Sequence, residues 1–145
     1  MIQRIQSVWL FLAALISAGL FYFGVYKADT VLNGVTVTEH LKAANYYPLL
    51  LIALVTIILP LVAIFMFKNR KRQISLAVIG IIANIGFLAV AIMKVGNINN
   101  QVPVPVDGTY LPGAVLPVVS MVFLMLAISG IRKDEKLVKS VDRLR

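Results

Sequence analysis

The sequence predicts an all-α membrane protein, a four-transmembrane-helix bundle with a small extracytoplasmic cap. Of its 145 residues, 60% are hydrophobic and only 14% are charged, whereas soluble domains have about a quarter of their residues charged. A soluble domain of this length has too much surface to bury so many apolar side chains. The apolar residues also fall into four separate blocks of about 20 residues, the length that crosses a bilayer.

The four blocks cover about residues 7–26, 47–67, 74–93 and 111–131, and none contains a charged residue or a histidine. A segment in lipid must satisfy its own backbone hydrogen bonds, so each block is predicted to be a helix. The first block is too long for the apolar core of a typical signal peptide, and we expect it to be retained. Residues 1–145 are therefore predicted to form a single four-helix domain, with 132–145 as a cytoplasmic basic amphipathic tail.

The basic residues predict the orientation of these helices. Eleven of the fourteen lie before the first block, between the second and third, or after the fourth, and the other three lie in the remaining two loops. Because Lys and Arg concentrate in cytoplasmic loops, both termini are expected to be cytoplasmic. The three outer residues are Lys27, Lys42 and Lys94.

The two outer loops, about residues 27–45 and 95–110, are long enough to carry structure. The first contains Asn33-Gly34 between β-branched residues, which is the strongest short signal for a β-hairpin. The second contains Pro103 and Pro105, which favour extended chain and then a turn. We expect the two loops to form the cap together, although they could equally be connectors without structure.

Asn84 is the polar residue at the centre of the third span, where an amide is costly. We expect its side chain to form a hydrogen bond with a neighbouring helix. The alternative is that it lines a path for a ligand or an ion. Pro60 and Pro117 are each expected to break one backbone hydrogen bond and to kink their helix.

The C-terminal tail is the most informative polar stretch. Its apolar residues recur at spacings that share one helical face, which predicts an amphipathic helix with a partner-binding surface. Its acidic residues Asp134, Glu135 and Asp142 favour a protein partner over simple attraction to lipid. The alternative is a solvated continuation of the fourth helix that only enforces topology. The predicted partner-binding residues are Leu137, Val138, Val141, Leu144 and Arg143.

The residue types argue against a dedicated catalytic or metal centre. The single histidine, His40, and the absence of cysteine leave too few ligands for a zinc or haem site. No Gly-rich phosphate loop and no nucleophile elbow can be found. The basic residues flank membrane spans, so no nucleic acid partner is expected. We predict no catalytic, cofactor-binding or metal-binding residues and no cofactor.

The two ends of the chain carry a family resemblance. Residues 1–7, Met-Ile-Gln-Arg-Ile-Gln-Ser, and residues 131–145, beginning Ile-Arg-Lys-Asp-Glu-Lys, resemble the corresponding ends of the bacterial membrane family called domain of unknown function 4293. The resemblance covers the whole chain with the same four-span plan. It implies a location in the inner membrane of Gram-negative bacteria. It implies no activity, so no functional residue can be transferred from it.

These observations predict a non-enzymatic accessory or scaffold subunit that binds a larger membrane complex or itself. The expected partners are a bilayer with an anionic inner leaflet and a membrane protein or a second copy of the chain. The alternative function is a small transporter or channel subunit with a path near Asn84. A water-accessible cavity around Asn84 would favour this alternative, and a dry packed core would favour the first function.

The predicted orientation can be tested by labelling single cysteines, since the chain has none of its own. Cysteines at Asn33 and Asn100 are expected to react with an impermeant reagent in intact cells, and cysteines at Asn69 and Arg145 only after lysis. Labelling of position 69 from outside intact cells would contradict the orientation.

Overall fold

The computed structural model describes residues 3–32, 35–67, 69–100 and 107–142. Four helices dominate these ranges, and each is long and apolar enough, by length and composition, to cross a membrane. In chain order the elements are α1 (Gln3–Tyr22), β1 (Tyr26–Leu32), β2 (Val35–Leu41), α2 (Tyr47–Phe65), α3 (Arg70–Asn99), β3 (Asp107–Tyr110) and α4 (Leu116–Asp142). Short 3₁₀ turns at Ala43–Asn45 and Pro112–Ala114 lead into α2 and α4.

The helices form a ring in which each packs against its two neighbours, α1 against α2 and α4, and α3 against α2 and α4. Most of the buried residues of each helix recur at spacings of four and three, the spacing of helices that pack as in a coiled coil. In α1 these residues are Gln6, Leu10, Ala13, Ser17 and Leu20. In α4 they are Pro117, Ser120, Leu124, Ala127, Ile131 and Asp134.

The lines of buried residues along which neighbouring helices meet, which we call seams, contain small residues that let the helices approach closely. A Cβ atom added at Gly80 of α3 would lie 3.2 Å from Leu124 Cδ1 of α4. Ala53 and Ala63 of α2 and Ala77 of α3 are fully buried. Close approach of backbones through small residues is the usual basis of helix association in lipid, where apolar side chains gain little from meeting one another.

The outward surface of the bundle is apolar. Only 28–33% of each candidate span is buried, and the exposed remainder carries large apolar side chains on all four helices. A soluble monomer rarely exposes a continuous apolar surface of this kind. Examples are Phe11, Leu15, Leu51, Ile58, Ile82, Ile92, Val122 and Met125.

A three-stranded antiparallel sheet, in the order β2-β1-β3, covers one end of the bundle, which we call the sheet end. The predicted hairpin is confirmed: β1 and β2 pair from Tyr26↔Leu41 to Leu32↔Val35. Residues 33 and 34, on which the turn signal falls, lie outside the described residues. The second loop completes the sheet, because β3 pairs with the other edge of β1 from Tyr26↔Tyr110 to Asp29↔Asp107.

Two segments of the chain lie side by side where they pass from the sheet to the bundle, one at Gly24 and the other at Gly113. We call this contact the Gly24–Gly113 crossing. The Gly113 amide donates to the Gly24 carbonyl at 3.0 Å, and the Leu111 amide donates to the Val25 carbonyl at 3.0 Å. A Cβ atom at Gly113 would lie 2.8 Å from the Gly24 carbonyl carbon and closer still to its oxygen. The crossing therefore requires glycine at position 113, and it ties the start of β1 to the turn before α4.

Three boundaries differ from those predicted. The first helix ends at Tyr22, and Tyr26 already belongs to β1. The third helix runs to Asn99, so Lys94 lies within it and not in a loop. The fourth α-helix begins at Leu116, which places Pro117 in its first turn. The expectation that Pro117 breaks a helical hydrogen bond was wrong, because amides of the first turn have no intrahelical partner. Pro60 does lie inside α2.

The Gly24–Gly113 crossing can be tested by adding one methyl group. Gly113→Ala is expected to destabilise the protein by about 1–3 kcal/mol, because the methyl would overlap the Gly24 backbone. Gly96→Ala is the matched control, since a Cβ there meets nothing within 4 Å and alanine favours a helix. Thermal unfolding in detergent measures both. Equal stability of the two variants would show that the crossing tolerates a side chain.

Candidate functional site

Each of the four helices contributes one small polar side chain to the middle of the core. Ser17, Thr56, Asn84 and Ser120 are all 0% exposed. Gly80 faces Leu124, and one helical turn closer to the sheet end these two helices carry Asn84 and Ser120. Given the rise of about 1.5 Å per residue, Ser17 of α1 and Thr56 of α2 lie at the same level of the bundle. We call these four residues the polar layer.

The side chains of the polar layer form hydrogen bonds partly within their own helices and partly between helices. The Ser17 and Ser120 hydroxyl oxygens lie 2.9 Å apart across α1 and α4, and Ser120 Oγ also donates to the Ala13 carbonyl at 3.3 Å. Thr56 Oγ1 donates to the Ala53 carbonyl of its own helix at 2.8 Å. In this layer the hydrogen bonds of Ser120 to Ser17 and to the Ala13 carbonyl join α1 and α4.

Asn84 does not form the expected hydrogen bond with a neighbouring helix. Its Nδ2 donates at 2.8 Å to the carbonyl of Gly80, one turn earlier in α3. Its Oδ1 is buried and has no hydrogen-bond partner among the described residues. The correction has a geometric reason: the side chain of an asparagine can reach the carbonyl four residues earlier, as Ser and Thr do in helices.

At the opposite end, where α1 begins and α2 joins α3, buried polar residues close the bundle. We call this the terminal end. Gln6, Gln73 and Asp134 are 5%, 3% and 6% exposed, and Gln6 Nε2 donates to Asp134 Oδ2 between α1 and α4. Asp134 is therefore a core residue of the bundle. Its carboxylate is therefore not among the exposed charges of the predicted tail.

The predicted tail is a direct extension of α4, which continues without interruption to Asp142. Arg132, Lys133 and Lys136 are exposed, and Leu137 is 54% exposed. Positions 138 and 141 belong to the helical backbone, but their side chains are not described, and Arg143 and Leu144 lie outside the described residues. The helical part of the prediction is confirmed as far as Asp142, and the partner-binding surface stays a prediction.

A cavity of about 330 Å³ lies at the sheet end, between β2, the 3₁₀ turn before α2 and the last turns of α3. The Lys94 ammonium lies 5.3 Å from the centroid of the Tyr46 ring, a cation–π distance. Asn45 Nδ2 donates to the His40 carbonyl at 3.5 Å. The cavity can accommodate a small polar molecule. Its lining residues are Glu39, His40, Leu41, Asn45, Tyr46, Lys94 and Ile98.

The outward face of the sheet has one charged cluster. Asp29 forms an ion pair with Lys27 at 2.9 Å and accepts a hydrogen bond from Thr38 Oγ1 at 2.6 Å. These contacts, first that of Thr38 and then that of Lys27, lower the pKa of Asp29 below its ordinary value. No group of three or more His, Cys, Asp or Glu side chains that could hold a metal occurs within the described ranges.

The sequence does not predict the sheet-end cavity, although two residues of its wall, Glu39 and His40, are neighbours in the chain. Lys94 is more than 50 residues away in the chain and lies beyond the predicted third span. The strand pairing of β1 with β2 and the extra length of α3 bring them together. An outer lysine next to a block edge and an aromatic pair at Tyr46-Tyr47 were the available signals.

The described residues thus form four helices that could cross a membrane, with a small sheet at one end. The family model described as "Domain of unknown function (DUF4293)" matches residues 2–144. The chain therefore belongs to this family, which carries no assigned activity. The chain has no significant match among curated proteins or among solved structures.

The polar layer can be tested by paired substitutions. Ser120→Ala removes the hydrogen bonds of Ser120 to Ser17 and to the Ala13 carbonyl and is expected to cost about 0.6 to 1.7 kcal/mol. Asn84→Leu is expected to cost less or to stabilise, because it loses no bond between helices and removes a buried acceptor without a partner. Unfolding in mixed detergent micelles, followed by circular dichroism, measures both. A larger cost for Asn84→Leu would mean that Asn84 links helices after all.

Proposed function

We propose that the protein is a non-enzymatic integral membrane protein of the bacterial inner membrane, an accessory or scaffold subunit that binds a larger membrane complex or a second copy of itself. In this proposal the four helices cross the membrane, the terminal end lies in the cytoplasm and the sheet lies outside. The apolar exterior of the bundle and the basic residues around the terminal end support this placement.

The closed polar layer is the observation that carries the proposal. A transport path near Asn84 would require water around its side chain, but Asn84 is fully buried. The cavities at the sheet end, between α1 and α4, and between α2 and α3 around Val55 and Gly86 do not include Asn84 in their walls. The burial of Asn84 away from these cavities supports a role in binding over a role in transport.

The second support is the rigid extension of α4. The contact between Gln6 and Asp134 holds α4 to α1 at the terminal end, and the helix continues beyond it for two further turns. A helix anchored in this way, with Leu137 exposed on it, loses little backbone entropy when a partner binds. An apolar helical face that lies in the groove of a partner is a common recognition mode.

The proposal can be tested by changing Leu137, Val141 and Leu144 to Ser together, with every charge kept. Truncation of an apolar anchor costs more than about 1 kcal/mol, so the loss of three is expected to lower the amount of complex at least about tenfold. Chemical crosslinking in native membranes, followed by mass spectrometry, identifies the complex as a partner or as a second copy.

The control is Lys136→Gln with Lys139→Gln, which alters the same segment outside that face and is expected to leave the complex unchanged. Membrane insertion of all variants is checked by carbonate extraction. Crosslinked products that are the same for the triple serine variant would contradict the predicted surface. A solute flux in proteoliposomes that Asn84→Leu abolishes without unfolding would contradict the scaffold role and favour a transporter.

A further inference from the structure

An open crevice of about 340 Å³ lies between α1 and α4 near the terminal end. From α1 it is lined by Ile5, Gln6 and Trp9. The α4 residues that line it lie on one helical face over two turns, at spacings of three, four and seven. They are Leu126, Ser129, Gly130 and Lys133.

Small residues of α4 create this crevice. Gly130 has no side chain, and a Cβ atom there would lie 3.1 Å from Gln6 Cγ, so α1 approaches α4 at this point. Ser129 beside it is exposed and too short to fill the space in front of Trp9. Trp9 itself is held in place by stacking on Phe123, with the ring centroids 5.6 Å apart.

The walls of the crevice change from apolar to basic along its length. Its deeper end, toward the middle of the bundle, is formed by Trp9 and Leu126. Its outer end, at the terminal end, is lined by Lys133. Two turns of helix separate Leu126 from Lys133, a distance of roughly 10 Å along the axis.

The charge at the outer end of the crevice is that of Lys133. Among the described residues Lys133 takes part in no ion pair, and none of the residues that line the crevice is acidic. The nearest carboxylate in sequence, that of Asp134, is turned into the bundle and accepts a hydrogen bond from Gln6. Basic clefts between helices at the cytoplasmic side of a membrane bind anionic lipid headgroups.

We infer that this crevice is a binding site for an anionic phospholipid of the inner leaflet, with an acyl chain against Trp9 and Leu126 and the headgroup phosphate at Lys133. The inference rests on the proposed membrane insertion with the terminal end in the cytoplasm. It goes beyond that proposal, because it assigns a particular lipid class to particular residues. The general attraction of basic residues to the membrane involves no defined site.

Trp9 provides the test, because it is the one tryptophan of the chain and lies in the crevice wall. The protein is reconstituted into vesicles that contain phosphatidylcholine and phosphatidylglycerol, with bromine on the acyl chains of one or the other. Bromine quenches tryptophan fluorescence at contact. Brominated phosphatidylglycerol is expected to occupy the crevice about fivefold more readily than brominated phosphatidylcholine, the contribution of one basic residue at an anionic surface.

Two matched pairs of variants locate the effect. Lys133→Gln is expected to abolish the preference for phosphatidylglycerol, and Arg132→Gln, which removes an exposed charge beside it but outside the crevice, is expected to keep it. Ser129→Leu is expected to fill the crevice and reduce quenching by both lipids. Ser75→Leu, a like change at an exposed position of α3, is expected to leave quenching unchanged.

Each contrary result has its own meaning. Equal quenching by the two brominated lipids in the unchanged protein would overturn the lipid site while leaving membrane insertion intact. An equal loss of preference in Lys133→Gln and Arg132→Gln would also overturn it, because that is the result for diffuse attraction to a charged surface. Trp9 that neither lipid quenches would contradict the proposed insertion itself.

Discussion

The fold depends on the close approach of four helices along seams of small and polar residues. In the proposed membrane location the apolar exterior would gain nothing from contact between helices, so association would come from packing and from hydrogen bonds between the helices. Alanine and glycine on α2, α3 and α4 permit the approach, and the serine pair of α1 and α4 adds a hydrogen bond across it. Because the buried residues recur at spacings of four and three, they face the neighbouring helices along the length of each helix.

The sheet restrains the ends of this bundle. It joins two loops that lie far apart in the chain, and its central strand, β1, follows α1 directly. The hydrogen bonds of Leu111 and Gly113 continue the pairing of β1 down to the start of α4. Tyr26 adds a side-chain restraint, since it donates to Asn99 Oδ1 at the end of α3 at 2.9 Å. Three of the four helices are thereby connected at one level, which explains how a hairpin that would be marginal alone is stable here.

Buried polar residues have different roles at the two levels of the core. In the polar layer Thr56 and Asn84 bond within their own helices, whereas Ser17 and Ser120 bond to each other between α1 and α4. At the terminal end Gln6 and Asp134 are larger and bond to each other across helices. This contact turns the acidic residue into the bundle and leaves Lys133 facing outward. The polarity of the crevice between α1 and α4 therefore follows from the same contact that anchors the extension of α4.

The sequence by itself determined the number of helices, their approximate positions, the hairpin and the asymmetry of charge, because these depend on composition and on neighbours along the chain. Membership of the family could also be inferred from the residues at the two ends. Only the tertiary structure decided what the polar residues do. Asn84 bonds within its own helix, Asp134 enters the core, and Lys94 joins His40 and Tyr46 around a cavity. The physical reason is that a partner in another helix is fixed by helix rotation and level, which are properties of the packed bundle and not of any single segment.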